Sequence, residues 1–297
     1  MLKRLSVVLV SMFVVICSAA HAAEPQPKMT AAEFEASLTY KKGDIVLPGG
    51  MATLRIPDSF RYLGPKDAER VLVDAWGNPT GDGTLGMLFP ANISAVSENS
   101  WGVVITYEED GYVSDKDADS INYEDLLKEM KEGIADRNKE RQKQGYQNID
   151  LVGWAAKPYY DKGTHKLYWA KELGFGGEKE HSLNYNVRVL GRKGVLVLNA
   201  VSGMSQLGIV EKEMQQVQAF TDFNSGFRYA DYDSKSDKTA AYGIAALVAG
   251  GVAAKAGLFT KLFAILLAAK KLIVVGVIAL GAFIGKLFKK KNEGAGV

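Results

Sequence analysis

Apolar and polar positions change rhythm several times along the chain, and each change predicts an element. The first 22 residues open on "MLKR", pass through the apolar "LSVVLVSMFVVIC" and end in the small-residue "AHA". That order is a basic n-region, an h-region and a cleavage site, so residues 1–22 are expected to be a signal peptide cut after Ala22. Residues 23–43 read as a linker with a short helix around Ala31–Tyr40. "DIVLPGGMATLRIPD" gives two β runs, Asp44–Leu47 and Ala52–Ile56, around a Pro-Gly-Gly turn. Pro65 to Trp76 has helical spacing, with Pro65 in the first turn and Gly77-Asn78-Pro79 as the stop. "LGMLFP" and "WGVVITYEE" are strands, and "NYEDLLKEMKEGIADRNKERQKQG" is a long polar helix ending at Gly145.

Four strand candidates then follow in succession: "DLVGWAAKPYYD", "HKLYWAKELGF", "HSLNYNVRVLGR" and "GVLVLNAVSG". The last two meet at "GRKG", Gly191 to Gly194, a compact hairpin signal. A helix from Leu207 to Phe223 closes the body. Strands in succession make an antiparallel meander, whereas a parallel sheet would need helices between them. The predicted class is therefore α+β, an antiparallel β-sheet with helices packed on its faces, over residues 44–235.

Beyond the body the chain turns almost wholly apolar or small. "LIVVGVIALGAFIGKLF", residues 272–288, is the best membrane-spanning segment, with Lys270 and Lys271 before it and Lys289 to Lys291 after it. Its 17 residues would reach about 26 Å as a helix, at the short end of what a bilayer core requires. With the body exported, residues 289–297 form a basic cytoplasmic tail, as the positive-inside rule prefers. Residues 240–269 carry small residues at every fourth position, among them Gly250 and Gly257, and Gly281 and Gly285 form a GxxxG pair. Such rows let helix backbones approach closely in lipid. One span preceded by an interfacial or partly inserted helix is the favoured reading. A two-span hairpin turning at Lys270-Lys271 is the alternative.

Charge sharpens this picture. The formal net charge is +2, but Lys3 and Arg4 contribute +2 and residues 241–297 contribute +7, which leaves the body at −7. An acidic body offers no basic face for phosphates, so a nucleic-acid partner is excluded. The single cysteine, Cys17, lies in the h-region behind Ile16, where a lipoprotein signal would place a small residue. The mature chain then has no cysteine, so disulfides, thiol catalysis and thiolate metal sites are excluded.

The motifs are weak. "GDGTLG", Gly81 to Gly86, satisfies GxGxxG but is followed by a strand rather than a helix, so it is no dinucleotide loop. Asn92 fits a glycosylation pattern that a bacterial envelope protein would not use. Asp115, Asp117 and Asp119 occupy the first, third and fifth positions of an EF-hand-like loop, but Ser120 replaces its glycine and Leu126 its closing glutamate. A solvated helix entry capped by Asn122 explains the stretch better. Glu108 and Asp110, at the end of an apolar strand, are candidate acid and base. His165 and His181 stand near strand starts with no third metal ligand specified. No metal site and no cofactor are indicated.

A family resemblance rests on "LPGGMATLRIPDSFRYLGPKDAERVL", "WGNP", "LGMLFP", "WGVVITYEEDGYVSDKDA", "LVGW", "THKLYWAKEL", "LNYNVRVLGRKGVLVLNAV" and "FRYADY". Through these the chain resembles a bacterial family of uncharacterised membrane-anchored proteins, catalogued as a domain of unknown function. The resemblance implies an exported domain with a C-terminal anchor and carries over no catalytic residue. In architecture the meander, the following helix and the "GFRY" ending also resemble the PsbP-like α+β fold, which usually serves binding or assembly.

The expectation is a noncatalytic interaction module on the outer side of the bacterial cytoplasmic membrane. It would be held to lipid by its C-terminal helix and would bind an envelope protein or polymer, with a homo-oligomer as a further option. Its candidate contacts are exposed groups at Trp101, Tyr107, Glu109, Tyr112, Tyr159, Tyr160 and Trp169. The competing readings are a hydrolase acting on an envelope polymer through Glu108 and Asp110, and a membrane assembly driven by the tail.

Overall fold

The computed structural model describes residues 29–249, apart from 79, 81, 82, 144 and 178. Its elements run α1 (Ala31–Ala36), β1 (Tyr40–Lys41), β2 (Gly43–Val46), β3 (Ala52–Ile56), β4 (Phe60–Leu63) and α2 (Pro65–Arg70), which widens into one π-type turn to Ala75. Next come β5 (Gly86–Pro90), β6 (Gly102–Glu108), β7 (Tyr112–Ser114) and α3 (Tyr123–Lys143). The meander is β8 (Ile149–Asp161), β9 (Lys166–Phe175), β10 (Ser182–Leu190) and β11 (Val195–Gly203). The chain ends in α4 (Leu207–Ala219), β12 (Thr221–Phe223), β13 (Thr239–Gly243) and α5 (Ile244–Ala249).

Eight strands hydrogen-bond in the order β1-β4-β5-β6-β11-β10-β9-β8, each antiparallel to its neighbours. A small sheet, β12-β3-β2, and a parallel pair, β13-β7, complete the topology. Alternation gives the large sheet two unlike faces. On the first, Val103, Ile105, Leu183, Tyr185, Val187, Leu196, Leu198 and Ala200 are buried against Leu54 and Phe223 of the small sheet and Val210, Met214 and Val217 of α4. Each of those α4 side chains is worth about 1.5–3 kcal/mol when fully buried, enough to fix the helix there.

The second face has two apolar ends. At one, Leu63, Met87 and Phe89 meet Ala68 and Val71 of α2 and its extension, with Phe34 of α1 packed against them. At the other, Leu167, Trp169, Leu190 and Val195 meet Val113, Tyr229 and the Ile244, Leu247 and Val248 side chains of α5. The polar helix α3 is held largely by side-chain-to-backbone bonds on the edge strand β8. Asn138 both donates to the Ile149 carbonyl and accepts from its N–H at 2.8 Å, and Lys131 donates to the Val152 carbonyl. This also covers an edge that would otherwise present unpaired backbone groups. Gly145, at φ +80°, turns the chain out of α3.

Most elements lie where the hydrophobic pattern puts them, and four differences have physical causes. The helix expected to run to Phe223 stops at Ala219, because Thr221–Phe223 pair with β3 and the Thr221 hydroxyl bonds back to the Val217 carbonyl at 2.6 Å. Four short strands, β1, β4, β7 and β13, go beyond the sequence reading. The short helix expected around Ala31–Tyr40 ends at Ala36, where the chain turns toward β1, and the Glu35 carboxylate accepts from Arg61, Tyr40 and Ser94 and from the Ala95 N–H, which docks α1 on the body. Finally, the segment expected at the membrane from residue 240 begins inside the domain. Thr239–Gly243 pair with β7, and Ile244, Leu247 and Val248 are buried because the sheet offers them an apolar surface.

Among the described residues no helix is long and apolar enough to cross a membrane. The expected signal peptide 1–22, the span 272–288, the tail 289–297 and Gly250, Gly257, Gly281 and Gly285 lie outside the described residues.

Candidate functional site: a polar groove on the second sheet face

Between the two apolar ends, the second face of the large sheet is polar. β10 presents Asn184, Asn186 and Arg188 there, on alternate positions of one strand. The register sets Asn186 opposite Trp169 of β9 and Asn199 of β11, and Asn184 opposite Lys171 and Val201. Val197, opposite Arg188, pairs in turn with Thr106 of β6. Over this band lies a groove of about 1680 Å³, lined by Thr106, Glu108, Asn184 and Asn199, with Trp76 on the α2 side and Tyr146 on the α3 side. That volume exceeds the roughly 300–1,000 Å³ of a small-molecule cleft, so a segment of a longer ligand fits it.

The polar band is electrostatically unbalanced. Arg188 is buried, and its guanidinium lies 5.2 Å from the centre of the Trp169 ring. Its Nη2 stands 3.9 Å from Glu108 Oε1, while Nε and Nη1 have no hydrogen-bond partner. Burial lowers the pKa of Arg188, and Glu108 works against that shift. Burial also draws Lys171 down to about 8, assisted by the positive charges of Arg188 and of Arg137 on α3. Asn199 Oδ1 and Trp169 Nε1 are buried without partners as well.

The carboxylates proposed as acid and base both line this groove. Glu108 faces Arg188, and Asp110 accepts the Tyr242 hydroxyl at 2.5 Å. Burial first, and Asp110 second, raise the pKa of Tyr242 above the ordinary tyrosine range. Glu109 is exposed.

The aromatic candidates separate by environment. Tyr159 is the exposed one, at 63%, and stacks on Tyr168. Trp101 and Trp169, expected at the surface, are buried, because each falls on an inward position of a strand or its approach. Trp101 meets Phe60 edge-on, and Trp169 lies beneath Arg188. Tyr107 packs against Phe223 with its pKa pushed up to about 12, chiefly by burial. Tyr112 stacks between Tyr229 and Tyr232 at 4.5 and 3.8 Å. Tyr160 donates to Asp115 and lies 3.2 Å from His165 Nδ1.

The acidic stretch is occupied by the protein's own donors. Asp115 accepts from Tyr160, Asp117 from the Ile244 and Ala245 N–H groups, and Asp119 pairs with Lys162. Asn122 caps α3, accepting from the Glu124 and Asp125 N–H groups at 3.1 and 3.3 Å. Of "GDGTLG", Thr84 and Leu85 lead into β5, with the Thr84 hydroxyl bonded to Gly86 and Ile105 backbone. His165 and His181 stand at opposite ends of the β9–β10 hairpin. Among the described residues no three His, Cys, Asp or Glu side chains gather as a metal set.

Asn184, Asn186, Arg188, Lys171 and Asn199 were not singled out from the sequence. The signal was present in "LNYNVRVL", where apolar residues alternate with Asn, Asn and Arg. A strand with one apolar face and one polar, partly charged face marks either solvent or a site, and only the fold separates the two.

No curated protein matches the chain. Cyanobacterial PsbP (CyanoP) from Synechocystis sp. PCC 6803 is similar over 64% of this chain and 94% of its own, at 12% identity and a TM-score of 0.34. The Ran-binding protein Mog1p of Saccharomyces cerevisiae is similar over 63% of this chain and 96% of its own, at 10% identity and a TM-score of 0.32. The family model described as "Protein of unknown function (DUF2167)" matches residues 39–281, most of the chain. The protein therefore belongs to the DUF2167 family.

Proposed function

We propose that the protein is a noncatalytic binding module whose site is the polar groove, tethered to the cytoplasmic membrane by residues 272–288 and facing the bacterial envelope. The observation that carries this reading is the unlike pair of sheet faces. One face is covered by α4 and the small sheet, whereas the other keeps Asn184, Asn199, Thr106 and Glu108 along an open groove. A face that only had to meet solvent would not bury Arg188 or hold Lys171 near a pKa of 8. The groove suits an extended ligand, an envelope polymer or a protein segment. The hydrolase alternative is less well supported, since Glu108 faces Arg188 and Asp110 is bonded by Tyr242.

Photoreactive residues at Thr106, Asn199 and Gln206, with a control at Lys139 on the solvent side of α3, test the reading in intact cells. A discrete adduct from the groove positions and none from Lys139 is expected. Identical labelling from Lys139 and the groove, or none from either, would refute it.

A further inference from the structure

The charges that reach the surface of the groove are mostly negative. Among the described residues five carboxylates line it, Glu69, Glu98, Glu108, Asp110 and Glu180, against the one guanidinium of Arg141. Arg188 does not line it and stands behind Glu108 at 3.9 Å. Val104, Thr106 and Glu108, on alternate positions of β6, run along the groove floor. The seven residues of that strand cover about 20 Å, and Glu108 marks one end. At the Gly102 end, Gln206 donates to the Asn99 carbonyl at 3.0 Å and Ser205 to Glu180 at 3.5 Å, which brings Glu98 and Glu180 to one mouth of the groove. Both are exposed, and neither makes an ion pair among the described residues. A Cβ at Gly203 would stand 3.0 Å from Glu180 Oε1, so glycine there leaves the carboxylate its room. The floor between the two ends is uncharged, with Val104, Thr106, Asn184, Asn199 and Val201.

Carboxylates at both ends repel an anionic polymer, and hydroxyl groups alone would leave their charge unmatched. A ligand with cations at both ends matches them, and the net negative charge of the body draws such a ligand in. An amino-sugar polymer carries a cation on every ring and would set several over the uncharged floor. An extended polypeptide rises about 3.3 Å per residue, so roughly six residues bridge the two ends. Thr106 and Asn184 offer side-chain hydrogen bonds to its backbone. We propose that the groove takes an extended polypeptide segment with lysine or arginine at both ends of a short uncharged stretch, Glu98 and Glu180 receiving one cationic end and Glu108 the other. That assignment rests on the groove being a binding site and names the class of partner bound there. Glu108 is the weaker end, because Arg188 offsets part of its charge.

The test is fluorescence anisotropy of labelled octapeptides titrated with the full chain in a non-ionic detergent. Saturable binding of "KKGSSGKK" is expected, weakening as salt is added, with no binding of "EEGSSGEE". "KKKKGSSG", equal in charge but basic at one end only, should bind at least threefold more weakly. Glu98→Gln combined with Glu180→Gln should weaken "KKGSSGKK" tenfold or more. Glu129→Gln combined with Glu132→Gln removes the same charge from α3 outside the groove and should leave binding unchanged. All four positions are exposed, so both double variants keep the fold. Equal weakening in the two double variants, equal binding of "KKKKGSSG", or no saturable binding would overturn the proposal. A glucosamine oligomer that binds in place of the peptides would overturn it too and make the ligand a polysaccharide. Groove cross-links persisting in a protein that binds no basic peptide would leave the groove standing and remove only this inference. Loss of both would remove both.

Discussion

Asp117 ties the acidic loop to the start of the C-terminal segment across 127 positions of sequence. Its carboxylate accepts from the Ile244 N–H at 3.0 Å and the Ala245 N–H at 3.1 Å, two of the first-turn groups of α5 that have no intrahelical acceptor. Replacing it with alanine leaves both donors facing a space the carboxylate had filled. Losing a side-chain cap costs about 0.5–2 kcal/mol, and bonds to a charged acceptor run at about 1.5–3 kcal/mol. The buried Ile244, Leu247 and Val248 side chains keep α5 docked, so water reaches only the exposed end and the loss should settle near 2 kcal/mol. Asp117→Asn retains an acceptor oxygen and loses the charge, so about half that loss is expected. Urea unfolding of the full chain in detergent gives the magnitude, and hydrogen exchange gives the place. Faster exchange at Ile244 and Ala245, with β10 and β11 unchanged, is the expected pattern. Unchanged exchange at those two amides, or equal losses in the Ala and Asn variants, would show that Asp117 does not cap α5.

Three further outcomes follow from the polar band and the edge strand. Lys171 has a folded pKa of about 8, against 10.5 as the ordinary value, with Arg188 and Arg137 as its charged neighbours and Glu108 beside Arg188. The unfolded chain therefore holds a proton between those two values that the folded chain has released, and ligand-free stability should rise with pH across that window and be lowest below it. Lys171→Met should flatten the slope in urea titrations at several pH values. Arg188→Met should leave the ligand-free protein about 1–2 kcal/mol more stable, because Glu108 stays partly solvated while an undercompensated buried cation disappears. A large loss of melting temperature would count against the undercompensated state of Arg188. Asn138→Ala removes both bonds to Ile149 and should cost about 1–3 kcal/mol, with exchange protection lost selectively at the start of β8.

Local chemistry was enough for much of the fold. The Asn122 cap and Gly145 stop delimit α3, Pro65 opens α2, and "GRKG" turns β10 into β11, because each depends on residues within a few positions of itself. Apolar runs located β5, β6 and the meander strands for the same reason. The short strands were a different matter. β1, β4, β7 and β13 exist because a partner strand is presented to them, and Thr221–Phe223 left the helical pattern for β3 on those grounds. Trp101 and Trp169 look alike in composition to the exposed Tyr159, and only packing separates core from surface.

The candidate site divides along the same line. By itself the sequence determined that Asn184, Asn186 and Arg188 share a strand face, since side-chain alternation is a property of one strand. It also placed Glu108 and Asp110 at a strand end. Tertiary structure alone decided that this face is roofed and grooved rather than bathed in solvent. It also decided that Trp169 stands beside Arg188, that Lys171 faces Asn184 and that Asp117 meets α5. Register across strands and the burial that shifts a lysine's charge are set by many distant contacts at once, and no short stretch of chain contains them.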